Sequence, residues 1–138
     1  MDENLIKARL IFEAQGKPQK GVEDSLLNLV DGIRKVQGVE VFDMVKEPAI
    51  AVKGTDLFSG LVDVGIQTKR FEKLFTVVLS FGPSAIIVLE PDKVEVGISE
   101  LQLALNDLAQ VLHGMATEAL TSKIQLIKHL NEKKAKKK

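Results

Sequence analysis

The chain has two histidines, His113 and His129, 16 positions apart in a segment with helical spacing. A helix that holds a metal needs its ligands three or four positions apart, on one face. Glu118 is five from His113 and does not share its face, so both imidazoles read as helix-surface groups. Asn106-Asp107, a short step before His113, reads as solvated helix surface. Glu40, Asp43 and Glu47 follow no spacing that would pair an acid with a base. Asp63 stands alone in an apolar run and reads as outward-facing and solvated. No cysteine is present, which excludes thiolate nucleophiles, disulfides and cysteine-ligated metals. The segment Gly16-Lys17-Pro18-Gln19-Lys20-Gly21 could hold an anion or small ligand through Gly16, Lys17, Lys20 and Gly21 at a helix start. Val22 follows Gly21, so the Gly-Lys-Ser/Thr of a phosphate-binding loop is missing, and a plain connection is the simpler reading. These residues nominate no catalytic residue, metal or cofactor.

The elements that would position them alternate in period. Leu5–Glu13 places Ile6, Ala8, Leu10 and Phe12 on one side and Lys7, Arg9 and Glu13 on the other, a half-buried strand. Gln19–Val36 carries Val22, Leu26, Leu29, Val30 and Ile33 at helical spacing, with Gly38 as a stop. Val39–Lys46 and Phe58–Gln67 read as strands of a hairpin with a long, irregular tip around Pro48 and Gly54-Thr55-Asp56. Lys69–Ser80 is a helix with Phe71, Leu74, Phe75 and Val78 inward, ended by Gly82-Pro83. Ser84–Glu90 is almost continuously apolar, the pattern of a centrally buried strand. The result is an α+β, ferredoxin-like βαββαβ sandwich with its first and third strands central. Phe12, Leu26, Leu29, Phe71, Leu74, Phe75, Ile87 and Leu89 are the expected core.

That topology allows four comparisons with families of known chemistry. Val36-Gln37-Gly38-Val39 before Phe42 is similar to the acylphosphatase signature. In that family the loop follows the first strand and an arginine follows the Phe; here the segment ends a helix and Asp43 follows. RNA-recognition modules stack bases on aromatics of the first and third strands. The corresponding outward positions here are Lys7, Arg9, Ile11, Leu61, Asp63 and Gly65, with no aromatic. Bacterial ferredoxins need cysteines. ACT-like regulatory domains bind small ligands in the loop after the first strand, an analogy of fold alone.

A long amphipathic segment follows, where Ser99 offers a capping box with Gln102. Leu101, Leu105, Leu108, Leu112, Met115 and Ala119 repeat in a coiled-coil period. The stripe then rotates to Ile124, Ile127 and Leu130. Unbroken, such a helix outreaches a small sheet, so either it breaks near Gly114 or Thr121-Ser122 or it packs on another subunit. Leu101, Leu105, Leu108, Leu112 and Met115 are therefore the expected oligomer interface. The strands carry apolar residues at both parities, which calls for a cover on the second sheet face, either the last helix or a partner.

Composition sets the remaining bounds. The 138 residues are 45% hydrophobic and 28% charged, without Trp or Tyr, ordinary for one soluble domain. Net charge is zero, but residues 131–138 hold five lysines against one glutamate, +4, leaving −4 for the rest. The tail reads as a frayed, solubilising helix end, or as a nonspecific contact for RNA, DNA or anionic lipid. The acidic start, Met1-Asp2-Glu3-Asn4, has no signal-peptide pattern, and no stretch is long enough to cross a bilayer, so a cytoplasmic location is expected.

The stretch Gly82-Pro83-Ser84-Ala85-Ile86-Ile87-Val88-Leu89-Glu90-Pro91, with Leu105-Asn106-Asp107-Leu108-Ala109 and Leu112-His113, is similar to a small uncharacterised archaeal protein family. The resemblance covers nearly the whole chain and implies no activity or site residue. We expect a single domain over 1–130 and a tail over 131–138. The expected function is a non-enzymatic, homo-oligomeric binding or regulatory protein for a small ligand or protein partner, away from membranes. The rivals are a nucleic-acid-associated protein using the lysine tail and an enzyme whose site the sequence does not display.

Overall fold

The computed structural model describes residues 5–136. The expectation drawn from Met1–Asn4 and the last two tail lysines, Lys137 and Lys138, lie outside the described residues. The elements run β1 (Ile6–Gly16), α1 (Gln19–Arg34), β2 (Val39–Lys46), β3 (Ile50–Ala51), β4 (Phe58–Thr68), α2 (Phe71–Phe81), β5 (Ala85–Glu90) and α3 (Ile98–Lys136). The contacts divide the chain into two units, residues 1–100 and 101–138.

The first unit is the expected α+β sandwich, with one strand more. The antiparallel sheet has the order β2-β4-β1-β5, and the two-residue β3 adds to β4 from within the irregular tip. The first and third long strands, β1 and β4, are central. Period-two alternation sends Ala8, Leu10 and Phe12 of β1 and Val62, Val64 and Ile66 of β4 to one face, where all six are buried. The 3.6-residue period of α1 brings Val22, Leu26, Val30 and Ile33 against them, with Leu29 packed at the margin. Each such side chain contributes about 1.5–3 kcal/mol on removal from water. Gly60 lets α1 approach this closely: a Cβ there would stand 2.8 Å from Val22 Cγ1 and 3.0 Å from Leu26 Cδ1.

The helix ends follow their residues. Gly82, with φ +63°, takes the left-handed position after α2, and its N–H reaches the Val78 carbonyl. Such a conformation costs glycine little. At the other end of α2, Glu100 Oε1 accepts the Glu72 N–H at 3.0 Å. A second tie fixes the tip. Ala49 is buried, and its carbonyl accepts Gln19 Nε2 at 2.7 Å while its N–H donates to Glu23 Oε2 at 3.0 Å. Both its main-chain groups are thus satisfied from the first turns of α1, as a buried backbone requires.

Four expectations need correction. β5 is an edge strand paired only with β1, not a centrally buried one. The helices pack chiefly over β1, β2 and β4, so Ile87 and Leu89, expected in the core, are each 50% exposed. On α2 the deepest residue is Val77, while Phe75 stays at the periphery in a tilted contact with Phe71. Ser99 lies within the first turn of α3, which begins at Ile98, and not at the position before it.

The second unit is the rest of α3. The helix passes Gly114 and Thr121-Ser122 without interruption and takes in the tail as far as Lys136. Its 39 residues span about 58 Å at 1.5 Å per residue. Among the described residues, no helix is long and apolar enough to cross a membrane.

Candidate functional site

Lys7, Arg9, Asp43, Asp63 and Glu90 meet on the sheet face opposite the helices. Arg9 of β1 lies across from Gly65 of β4, with Ile11 across from Asp63. Arg9 Nε donates to Asp63 Oδ1 at 2.7 Å, and its Nη2 is 2.9 Å from Asp43 Oδ2. One guanidinium therefore joins three strands. Its pKa is raised, first by the Asp63 hydrogen bond and then, against some desolvation, by Asp43. Asp63 is outward, as its isolation in an apolar strand implies, but it is paired rather than merely solvated.

Asp43 reaches this face because β2 is irregular. Val41 pairs with Ile66 on the helix side, and the register then jumps, so that Asp43 pairs with Gly65 and Met44 with Val64. The extra residue, Phe42, lays its ring beside Gly65, where a Cβ would come within 2.7 Å of it. Such a bulge re-aims the side chains that follow it. It also explains much of the mixed parity of β2, since Val41 and Met44 both pack on the core. A second shift, between Lys7 and Ala8 in the β1–β5 pairing, puts Glu90 opposite Lys7. Lys7 Nζ lies 3.5 Å from Glu90 Oε1 and 6.0 Å from the centre of the Phe42 ring.

The geometry of this face is that of a pairing network. Each acid of the cluster faces a cation, and the guanidinium turns Nε and Nη2 to two carboxylates. Between the charges lie apolar side chains that remain accessible, including Phe42, Val45, Leu61 and Ile87. The face thus suits contact with another surface better than proton transfer.

The loop after β1 is assembled only in part. Gly16, Lys17 and Gly21 line one shallow cleft of about 270 Å³, and Lys20 is not part of its lining. Lys17 Nζ is engaged by Asp56 Oδ2 at 2.5 Å. Lys20 and Gly21 belong to the first turn of α1, not to a loop. His113 and His129 are both exposed on α3, about 24 Å apart along its axis. Among the described residues no three His, Asp or Glu side chains gather as a metal site.

Leu101, Leu105, Leu112 and Met115 of the expected interface are exposed on α3, and Leu108 is half-buried. Sequence reasoning named this row but missed Arg9 as the hub of a triad, the bulge at Phe42 and the Gln19/Glu23 tie to Ala49. The alternation of β1 and β4 did predict that Arg9, Asp63 and Gly65 share a face. Nothing in the residue types marks a one-residue shift in β2.

The fold and these surfaces can be set against known proteins. Residues 7–113 match the MJ0538 family, and the chain belongs to that uncharacterised family. The match takes in every segment on which the sequence resemblance rested and ends within α3. No curated protein matches the chain.

Proposed function

We propose that this chain is a non-enzymatic binding protein that works in the cytoplasm as a homo-oligomer assembled through α3. One observation carries the reading. From residue 101 to residue 136 the second unit is a single helix with an apolar row, and Leu105, Leu112 and Met115 on it are more than half exposed. One helix cannot bury its own stripe, and most helical stability in proteins comes from packing that stripe. A second copy supplies the same stripe by symmetry, the common solution for soluble oligomers. The pairing of Arg9 with Asp43 and Asp63 supports a binding role over acid–base chemistry. The Gly16 cleft adds little, because Asp56 already answers the Lys17 charge.

Light scattering tests this. The wild type should run at a multiple of 15.1 kDa, and Leu108→Glu with Leu112→Glu should run as one chain with the amide spectrum of β1 and β4 unchanged. A wild-type mass of one chain at micromolar concentration would overturn the reading. Salt-sensitive RNA or DNA binding that disappears when residues 131–138 are deleted would move the function to the tail.

A further inference from the structure

The charges on α3 are segregated along its length. From Ile98 to Ser122 the helix carries Glu100, Asp107 and Glu118 and no lysine or arginine. From Lys123 onward it carries Lys123, Lys128, Lys133 and Lys134, with Glu132 as the lone acid before Lys136. One end of the rod is negative and the other positive. The apolar row crosses both halves: Leu105, Leu108, Leu112 and Met115 lie in the first, Leu126 and Leu130 in the second.

We infer that α3 pairs with α3 of a second copy in antiparallel orientation, centred near Thr117. The inference rests on the assembly reading above and adds its geometry. Thr117 is the midpoint of the helix as its ends stand. A two-fold axis there sets Leu108 of one copy beside Leu126 of the other, and Met115 beside Ala119, so apolar meets apolar. It also sets the acidic half of each helix alongside the basic half of its partner. Parallel pairing would align Glu118 with Lys123 across the pair, one favourable contact. It would also place the lysine-rich ends side by side and Lys133 against Lys133, and like charges held together oppose association. Three acids in one stretch facing four lysines of the other outweigh one pair.

The absence of cysteine gives a clean test. Gln102→Cys and Thr117→Cys are made separately in the full chain, each at an exposed helical position, and labelled with a nitroxide for pulsed dipolar distance measurement. Antiparallel pairing predicts a short distance between labels at 117. It predicts about 45 Å between labels at 102, from two arms of fifteen residues at 1.5 Å each. Short distances at both positions mean parallel pairing and overturn the inference. A long distance at 117 in a protein that still runs as a dimer means that the copies meet elsewhere, and overturns it too. A single-chain mass instead defeats the assembly reading itself and the inference with it. Lys133→Gln with Lys134→Gln supplies an independent readout. Antiparallel copies should then associate more weakly, on the order of ten-fold, and added salt should weaken the wild-type dimer. Tighter association of this variant, or of the wild type in salt, would also overturn the antiparallel arrangement.

Discussion

On the helix side of the sheet, Leu10, Val62 and Val64 are closed off from solvent; on the other side, their strand neighbours Arg9, Leu61 and Asp63 remain within its reach. The same two strands build both faces. On the first, stability comes from volume filled without gaps, and cavities are costly. On the second it comes from charge pairing in a setting water can enter, where each contact is worth far less. One sheet thus has a face that fixes the fold and a face free to meet something else.

Substitutions matched across the two faces put that contrast to the test. Leu10→Ala should cost about 2–5 kcal/mol in chemical denaturation; a loss below about 1 kcal/mol would mean that the inner face is not close-packed. Gly60→Ala comes next, at about 1–3 kcal/mol, because the new methyl meets Val22 and Leu26 within the packed layer. Arg9→Met on the outer face should cost about 1 kcal/mol, and the loss should shrink in high salt; a loss as large as that of Leu10→Ala would make the triad a core element and erase the distinction. Gly65→Ala is expected to be the mildest, under about 1 kcal/mol by the same overpacking logic. The nearest atoms in its way are the outer edge of the accessible Phe42 ring, which can swing aside, and then Arg9 Nη1 at 3.2 Å, the far end of a flexible side chain. If Gly65→Ala proved as harmful as Gly60→Ala, the ring would be held as firmly as the inner layer.

The same contrast explains what the sequence made legible. The strand–helix–strand order, the central pair of strands and the core face of α1 all follow from periodicity, because one-sided burial writes a period of two or 3.6. Prediction failed where an element is not buried on one side. The run Ala85–Leu89 is apolar at both parities, which fits a strand covered on both faces, yet β5 lies at an edge. Periodicity cannot tell a covered strand from an uncovered one when every residue is apolar. In β2 the alternation is offset by the extra residue at Phe42, so a fixed period assigns Asp43 to the wrong face. On α2 the expected stripe of Phe71, Leu74, Phe75 and Val78 lies to one side of the face that buries Leu74 and Val77, and the helical period does not fix so small a rotation about the axis. The triad at Arg9 was half legible: alternation placed Arg9 and Asp63 together, but only the bulge brings Asp43 to them.

The tie between α1 and Ala49 has a further consequence, for the order in which parts of the first unit come loose. The segment between β2 and β4 has little structure of its own, and such a loop ordinarily opens independently of its surroundings. Here its one buried residue has both main-chain groups held by Gln19 and Glu23. Freeing Ala49 means giving up side-chain contacts from the first turns of α1, and unwinding those turns sets Ala49 adrift. Loop and helix start therefore behave as one cooperative opening unit, and the amide proton of Ala49 keeps the helix's clock rather than the loop's.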